Sequence, residues 1–125
     1  MKIRVYYEDT DMEGVVYYAN YLKFCERARS EWFFSQGMMP TTQVGHFMVK
    51  RVEADYLSSA RLGDLLDVRS KIIEMKKASM TVEQTIYKEE TKLFVANITL
   101  VHVGFDGKIK KVDEKTKEFF YSLAL

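Results

Sequence analysis

Asn20-Tyr21-Leu22-Lys23-Phe24-Cys25-Glu26-Arg27-Ala28-Arg29-Ser30-Glu31-Trp32-Phe33-Phe34-Ser35-Gln36 is the run whose reading decides the fold. Tyr21, Cys25, Ala28 and Trp32 recur at spacings of four, three and four, the period of one helical face. Leu22, Phe24 and Phe33 widen that stripe, so the sequence predicts a helix over 20–36 that other structure wraps around. Asn20 reads as its N-cap, and Gly37 stands where a C′ glycine belongs.

Downstream of Pro40 the texture changes. Residues 47–58, 65–74, 80–89 and 93–105 read as four successive strands, with breaks at Arg61-Leu62-Gly63-Asp64, Lys76-Lys77-Ala78-Ser79 and Glu89-Glu90-Thr91-Lys92. Leu66, Val68, Ser70 and Ile72 alternate with Asp67, Arg69, Lys71 and Ile73, while Met80, Val82, Gln84 and Ile86 alternate with Thr81, Glu83, Thr85 and Tyr87. One face of each strand is greasier than the other, as antiparallel strands covering a core require. The last run is apolar on both faces, which suits a central strand or a subunit contact. Asp106-Gly107 reads as a turn and 113–122 as a short closing helix. With a first strand over 2–8, the order is β-α-β-β-β-β. That is an α+β fold, expected as a single domain over 1–125: a curved antiparallel sheet, its last four strands a meander, around one long helix.

Upstream of the helix lies Val5-Tyr6-Tyr7-Glu8-Asp9-Thr10-Asp11-Met12-Glu13-Gly14-Val15-Val16-Tyr17-Tyr18-Ala19. It reads as a strand, an acidic loop with one glycine, and a helix start. That order can set a carboxylate beside free backbone N–H groups and the positive end of the helix dipole. A carboxylate next to such an anion site is suited to attack on an acyl carbonyl. Period-two reasoning does not choose between Asp9 and Asp11. Gly14 would let the loop turn tightly.

Bulk properties narrow the classes. Net charge is +1, from 19 Lys+Arg against 18 Asp+Glu, so broad nucleic-acid or anionic-membrane binding is not expected. The single cysteine, Cys25, excludes an intrachain disulfide and reads as an inert packing thiol. His46 and His102 are too scattered for a metal site, and His102, among apolar strand residues, reads as a satisfied core histidine. No phosphate-binding glycine loop or dinucleotide fingerprint is present, so no cofactor is expected. No run reaches membrane-span length and the N-terminus lacks signal-peptide character, which makes the cytoplasm the expected location.

Tyr7-Glu8-Asp9-Thr10-Asp11, Gly14-Val15-Val16-Tyr17, Asn20-Tyr21-Leu22-Lys23-Phe24 and Glu26-Arg27-Ala28-Arg29 together resemble the signature of hot-dog-fold acyl-CoA thioesterases. The nearest group is the 4-hydroxybenzoyl-CoA thioesterase family, in the branch associated with the tol-pal genes. The resemblance implies that Asp11 is the catalytic carboxylate, either attacking the thioester carbon or activating water. It implies that the thioester oxygen meets the backbone N–H near Tyr18. It also implies that Lys76 and Lys77 lie where similar enzymes place basic residues on the CoA nucleotide. Asn20 would brace the site as a cap and touch substrate secondarily. Glu26 reads as a salt-bridge or exposed residue rather than a wall of the acyl pocket.

One departure stands out. That branch usually carries His where this chain has Tyr18. A tyrosine phenol keeps its proton at neutral pH, so Tyr18 is not expected to act as general base. Members of the family assemble as homodimers or homotetramers with sites at the subunit boundary, and the implied partners are an acyl-CoA substrate and, second, acyl carrier protein. The competing reading is a non-catalytic acyl-CoA or acyl-carrier-protein binding protein of the same fold. A dehydratase ranks last, because neither histidine sits in the loop–helix segment.

Overall fold

The periodic run forms helix α1 (Asn20–Phe34), with Tyr21, Phe24, Cys25, Ala28 and Phe33 buried. The computed structural model describes residues 1–123; residues 124 and 125 of the expected domain lie outside the described residues. Around α1 are strands β1 (Lys2–Arg4), β2 (Gly45–Tyr56), β3 (Leu65–Met75), β4 (Ser79–Lys88) and β5 (Thr91–Gly104), and a second helix α2 (Glu114–Leu123). The strands form one antiparallel sheet in the order β1-β3-β4-β5-β2.

The greasy faces identified from alternation meet α1. Leu66, Val68, Met80, Val82, Ile86, Ala96, Ile98 and Leu100 join the helix residues in one buried cluster, which Phe120 of α2 closes at one end. Register keeps the inward residues in rows. Ile86 faces Phe94, Val82 faces Ile98 and Met80 faces Leu100, and on β2 the same rows continue to Tyr56, Val52 and Val49. A bulge between Val49 and Arg51 lets Val49 and Val52, three residues apart, share that inner face. β5 lies between β4 and β2, which explains its two apolar faces.

Three expectations are corrected. The last four strands are not a simple meander, because β2 sits beside β5 and not beside β3. Alternation reports faces, not neighbours, and the connection after β2 crosses one end of the sheet instead of turning back. The first strand ends at Arg4, and Tyr7–Asp9 forms a 3-10 turn. There the Tyr6 N–H donates to the Asp9 carboxylate (2.8 Å) and the Asp9 N–H to the Tyr6 carbonyl (3.0 Å), local bonds that replace strand pairing. Asn20 is the first residue of α1 rather than its cap, a place held by Ala19. At the other end Gly37, at φ +70°, turns the chain away as expected while the Met38 N–H closes on the Phe33 carbonyl.

Candidate functional site

The acidic loop is a miniature hairpin. Thr10 and Val16 bridge, the Asp11 N–H donates to the Val15 carbonyl (2.9 Å), and the Gly14 N–H donates to the Asp11 carbonyl (3.1 Å). Gly14 has φ +76° with nothing within 4 Å of a built Cβ, so the turn needs its backbone conformation, not the space. The loop leans on the connection after β2: Val15 bridges Arg61, and the Val16 N–H donates to the Ala60 carbonyl (2.9 Å).

The two aspartates have different surroundings. Asp9 is 7% exposed. Its carboxylate holds the Tyr6 amide, while its carbonyl accepts both the Tyr17 N–H (3.0 Å) and the Asn20 side-chain amide (2.9 Å). Asp9 is thus committed to the loop's own structure. Asp11 is exposed, and one of its oxygens accepts the Glu13 N–H (2.9 Å), leaving the carboxylate open to solvent.

Tyr18 is pinned from both sides. The Asn20 N–H donates to the Tyr17 carbonyl (2.8 Å), and the Tyr56 hydroxyl donates to the Tyr18 carbonyl (2.9 Å). Its own N–H meets no acceptor among the described residues. Tyr18 is 62% exposed, with its ring centroid 4.9 Å from Tyr17 and 6.3 Å from Tyr56. Tyr56 in turn meets Tyr21 (5.5 Å) and Phe94 (5.0 Å) edge-on, so the helix start carries an aromatic wall. The Tyr17 phenol lies above its ordinary pKa, chiefly through the neighbouring Tyr18 charge. Burial, more than the surrounding charges, raises Tyr56. Both remain protonated donors at neutral pH.

Asp11, Gly14, Tyr18 and Asn20 therefore share one loop–helix junction. Lys76 and Lys77 do not: they occupy the turn after β3, at the opposite end of the sheet from Leu65 and the loop. A strand of that length separates the two ends by roughly 33 Å. There Lys76 pairs with Glu74 (3.3 Å), and the Lys77 carbonyl accepts the Val112 N–H (2.8 Å). Within one chain the lysines are remote from Asp11.

Other candidates fall into place. Cys25 is buried and its thiol is pushed up to about 12, mainly by desolvation, so it packs and does not react. His102 is buried, with its ring nitrogens bonded to Thr42 Oγ1 (2.7 Å) and the Lys110 carbonyl (3.0 Å), a satisfied core histidine. Glu26 is exposed and accepts the Ser30 hydroxyl (2.7 Å). Among the described residues no cluster of His, Cys, Asp and Glu could hold a metal, and no helix is long and apolar enough to cross a membrane. Tyr56 escapes sequence reasoning, since nothing in a strand pattern shows that its hydroxyl reaches a residue far earlier in the chain.

Comparison with known proteins identifies the family. Residues 13–95 match the thioesterase superfamily. The acyl-CoA thioesterase YbgC of Haemophilus influenzae is 39% identical over 127 residues, covering 97% of this chain and 93% of that protein. That of Helicobacter pylori is 52% identical over 87 residues, 70% of this chain but 65% of the relative's own length. The structure of a Thermus thermophilus thioesterase complexed with coenzyme A and Zn superposes with a TM-score of 0.85 at 25% identity, covering 99% of this chain and 92% of the other. The curved sheet around α1 is the hot-dog fold of such enzymes, and this chain belongs to the thioesterase superfamily.

Proposed function

We propose that this protein is a cytoplasmic acyl-CoA thioesterase that uses Asp11 as its catalytic carboxylate. The observation that carries the reading is the pairing, in one junction, of a solvent-open Asp11 with a Tyr18 N–H that has no acceptor among the described residues. The thioester carbonyl oxygen accepts that N–H, and the start of α1 favours the negative charge that develops on it. Asp11 either attacks the carbonyl carbon directly, giving an anhydride that water then opens, or takes a proton from the attacking water. In both routes the C–S bond breaks and the CoA thiolate leaves, taking up a proton. Tyr18 contributes its backbone and part of the wall, Gly14 shapes the loop, and Asn20 braces it through Asp9.

The lysines enter through a second copy. β2 is a long edge strand with Met48, Val49 and Val52 exposed, the kind of edge that pairs with another chain. A two-fold, antiparallel pairing of β2 with its copy sets the Tyr56 end of one chain beside the Gly45 end of the other. Lys76 and Lys77 stand at that Gly45 end, since Ser79 faces Val101 and Val101 faces Met48. Lysines of one subunit then bind the CoA phosphates of a thioester held at the other subunit's Asp11.

The test is thiol release from short, branched, aromatic and long acyl-CoAs and from acyl-carrier-protein thioesters, with wild type and Asp11→Asn. Wild type turns over at least one of them, and Asp11→Asn loses about a hundredfold or more in kcat, the scale of one catalytic group. Equal rates would remove Asp11 from the chemistry. No turnover of any thioester, with tight binding retained, would favour a non-catalytic binding protein.

A further inference from the structure

Arg29 is a half-buried guanidinium with no carboxylate partner among the described residues. Its Nη1 donates to Gln84 Oε1 (2.8 Å). Gln84 is wholly buried and spends its own amide hydrogens on the Cys25 carbonyl (2.9 Å) and Ser70 Oγ (2.9 Å). The network therefore fixes the guanidinium by one edge and supplies no negative charge. Burial holds Arg29 below its ordinary pKa, against smaller opposing effects of Cys25 and Glu26. A guanidinium out of water without a counter-charge is costly, and its free donors match a carboxylate in fork geometry.

The place it faces is a groove between α1 and β2 that begins at Leu22, close along the helix to Asn20. Tyr56, whose hydroxyl bonds the Tyr18 carbonyl, follows Val52 along β2. From there α1 offers Leu22, Lys23, Glu26 and Arg29, and β2 offers Val52 and Val49, brought to the same side by the bulge. These residues line a space of about 280 Å³, adjoining a second of about 250 Å³ that shares Glu26, Arg29 and Val49 and ends against Phe33 and Leu100. Nine residues of helix separate Asn20 from Arg29, roughly 14 Å. Lys23 and Glu26 lie at the rim, Val49, Val52 and Ile98 make the apolar wall, and Arg29 stands where the two spaces join. Glu26, the carboxylate on this face, is exposed, where water screens it, and is engaged by Ser30.

We propose that the groove between α1 and β2 receives the acyl chain of the substrate and that Arg29 selects chains ending in a carboxylate, the half-thioesters of dicarboxylic acids. The inference rests on the thioesterase reading and adds the substrate class to it.

Three CoA thioesters of one medium chain length, ending in methyl, carboxylate and ammonium, test it by kcat/KM. Wild type is expected to rank carboxylate first and ammonium last, with the carboxylate ester about tenfold or more ahead of the methyl ester, the worth of a charged hydrogen bond. Arg29→Met collapses that ratio, Arg29→Lys keeps part of it, and Glu26→Gln raises it. If Arg29→Met fails to fold, the wild-type ranking and the other two variants decide. A wild type that prefers the methyl ester overturns the proposal, as does a ratio unchanged by Arg29→Met. So does a uniform loss on all three esters accompanied by subunit dissociation, which would make Arg29 an interface residue. If no thioester is hydrolysed, the thioesterase reading fails first, and calorimetric binding of the same three compounds still decides the Arg29 site.

Discussion

Replacing Tyr56 with phenylalanine removes one hydroxyl and nothing else of size. The ring keeps its edge contacts with Tyr21 (5.5 Å) and Phe94 (5.0 Å), so no cavity opens. What goes is the 2.9 Å bond to the Tyr18 carbonyl. A neutral hydrogen bond is worth about 1 kcal/mol net, and Tyr56 is 47% exposed, which places the stability cost at the lower end of that scale. The larger effect falls on catalysis. With the Tyr18 carbonyl released, the residue is held from the Tyr17 side alone, and its N–H loses its aim at the developing oxyanion. If a bond of about 1 kcal/mol is realised only in the transition state, kcat falls about fivefold while KM stays near the wild-type value. Urea unfolding gives the stability term, and initial rates over a substrate range separate kcat from KM. An unchanged kcat beside a measurable loss of stability would refute the argument and leave Tyr56 as a structural tether. A stability loss beyond about 2 kcal/mol would show that the ring had moved and that the rate effect was indirect.

Two further outcomes follow from the same geometry. A subunit carrying Lys76→Ala and Lys77→Ala, unfolded and refolded together with an Asp11→Asn subunit, should recover low-KM turnover of CoA esters that neither parent shows, because the mixed dimer holds one intact site; recovery of none would place the lysines outside the site. Asp64 accepts the Arg61 N–H (2.8 Å) and pairs with Lys88 (3.0 Å); burial pushes its carboxyl up, but the Arg61 amide and Lys88 together hold it below its ordinary value. Its folded pKa is thus lower than its unfolded one, so its contribution is present at neutral pH and lost as pH falls through the folded value. Asp64→Asn should lower Tm at pH 7, with the gap to wild type closing below about pH 4; a gap that persists in acid would assign the effect to packing.

The helix, the inward faces of the strands and the acidic loop were all legible in the sequence, because each rests on local periodicity or local turn chemistry. The place of β2 was not. Its alternation is the same whether β3 or β5 lies beside it, and the deciding bonds join it to residues far later in the chain. The choice of Asp11 over Asp9 came from the family signature; the structure adds a physical contrast, a buried carboxylate tied to Tyr6 against an open one. Arg29 belongs to the Glu26-Arg27-Ala28-Arg29 run of the family signature, which says nothing of its partner. Its character comes from Gln84, a polar residue in a strand row otherwise read as core, and pairing across that separation leaves no trace in spacing.

The crossover from Leu57 to Asp64 deserves a thermodynamic reading. It takes the Val16 N–H on Ala60, bridges Val15 at Arg61, sends the Gly63 N–H to the Val5 carbonyl, and receives the Val5 N–H on Asp64. Its Ala60 N–H also donates to the Tyr21 hydroxyl (3.0 Å). The loop that carries Asp11 is thus stitched to the edge of the sheet and to the first turn of α1 at once. Most surface loops open at little cost and independently of the body beneath them. Here the loop is bonded to the crossover, which is bonded in turn to Val5 and to Tyr21 of α1, so opening it strains all of these together. Mutations far out along the crossover would therefore be felt first as a loosened junction, before any loss of the fold.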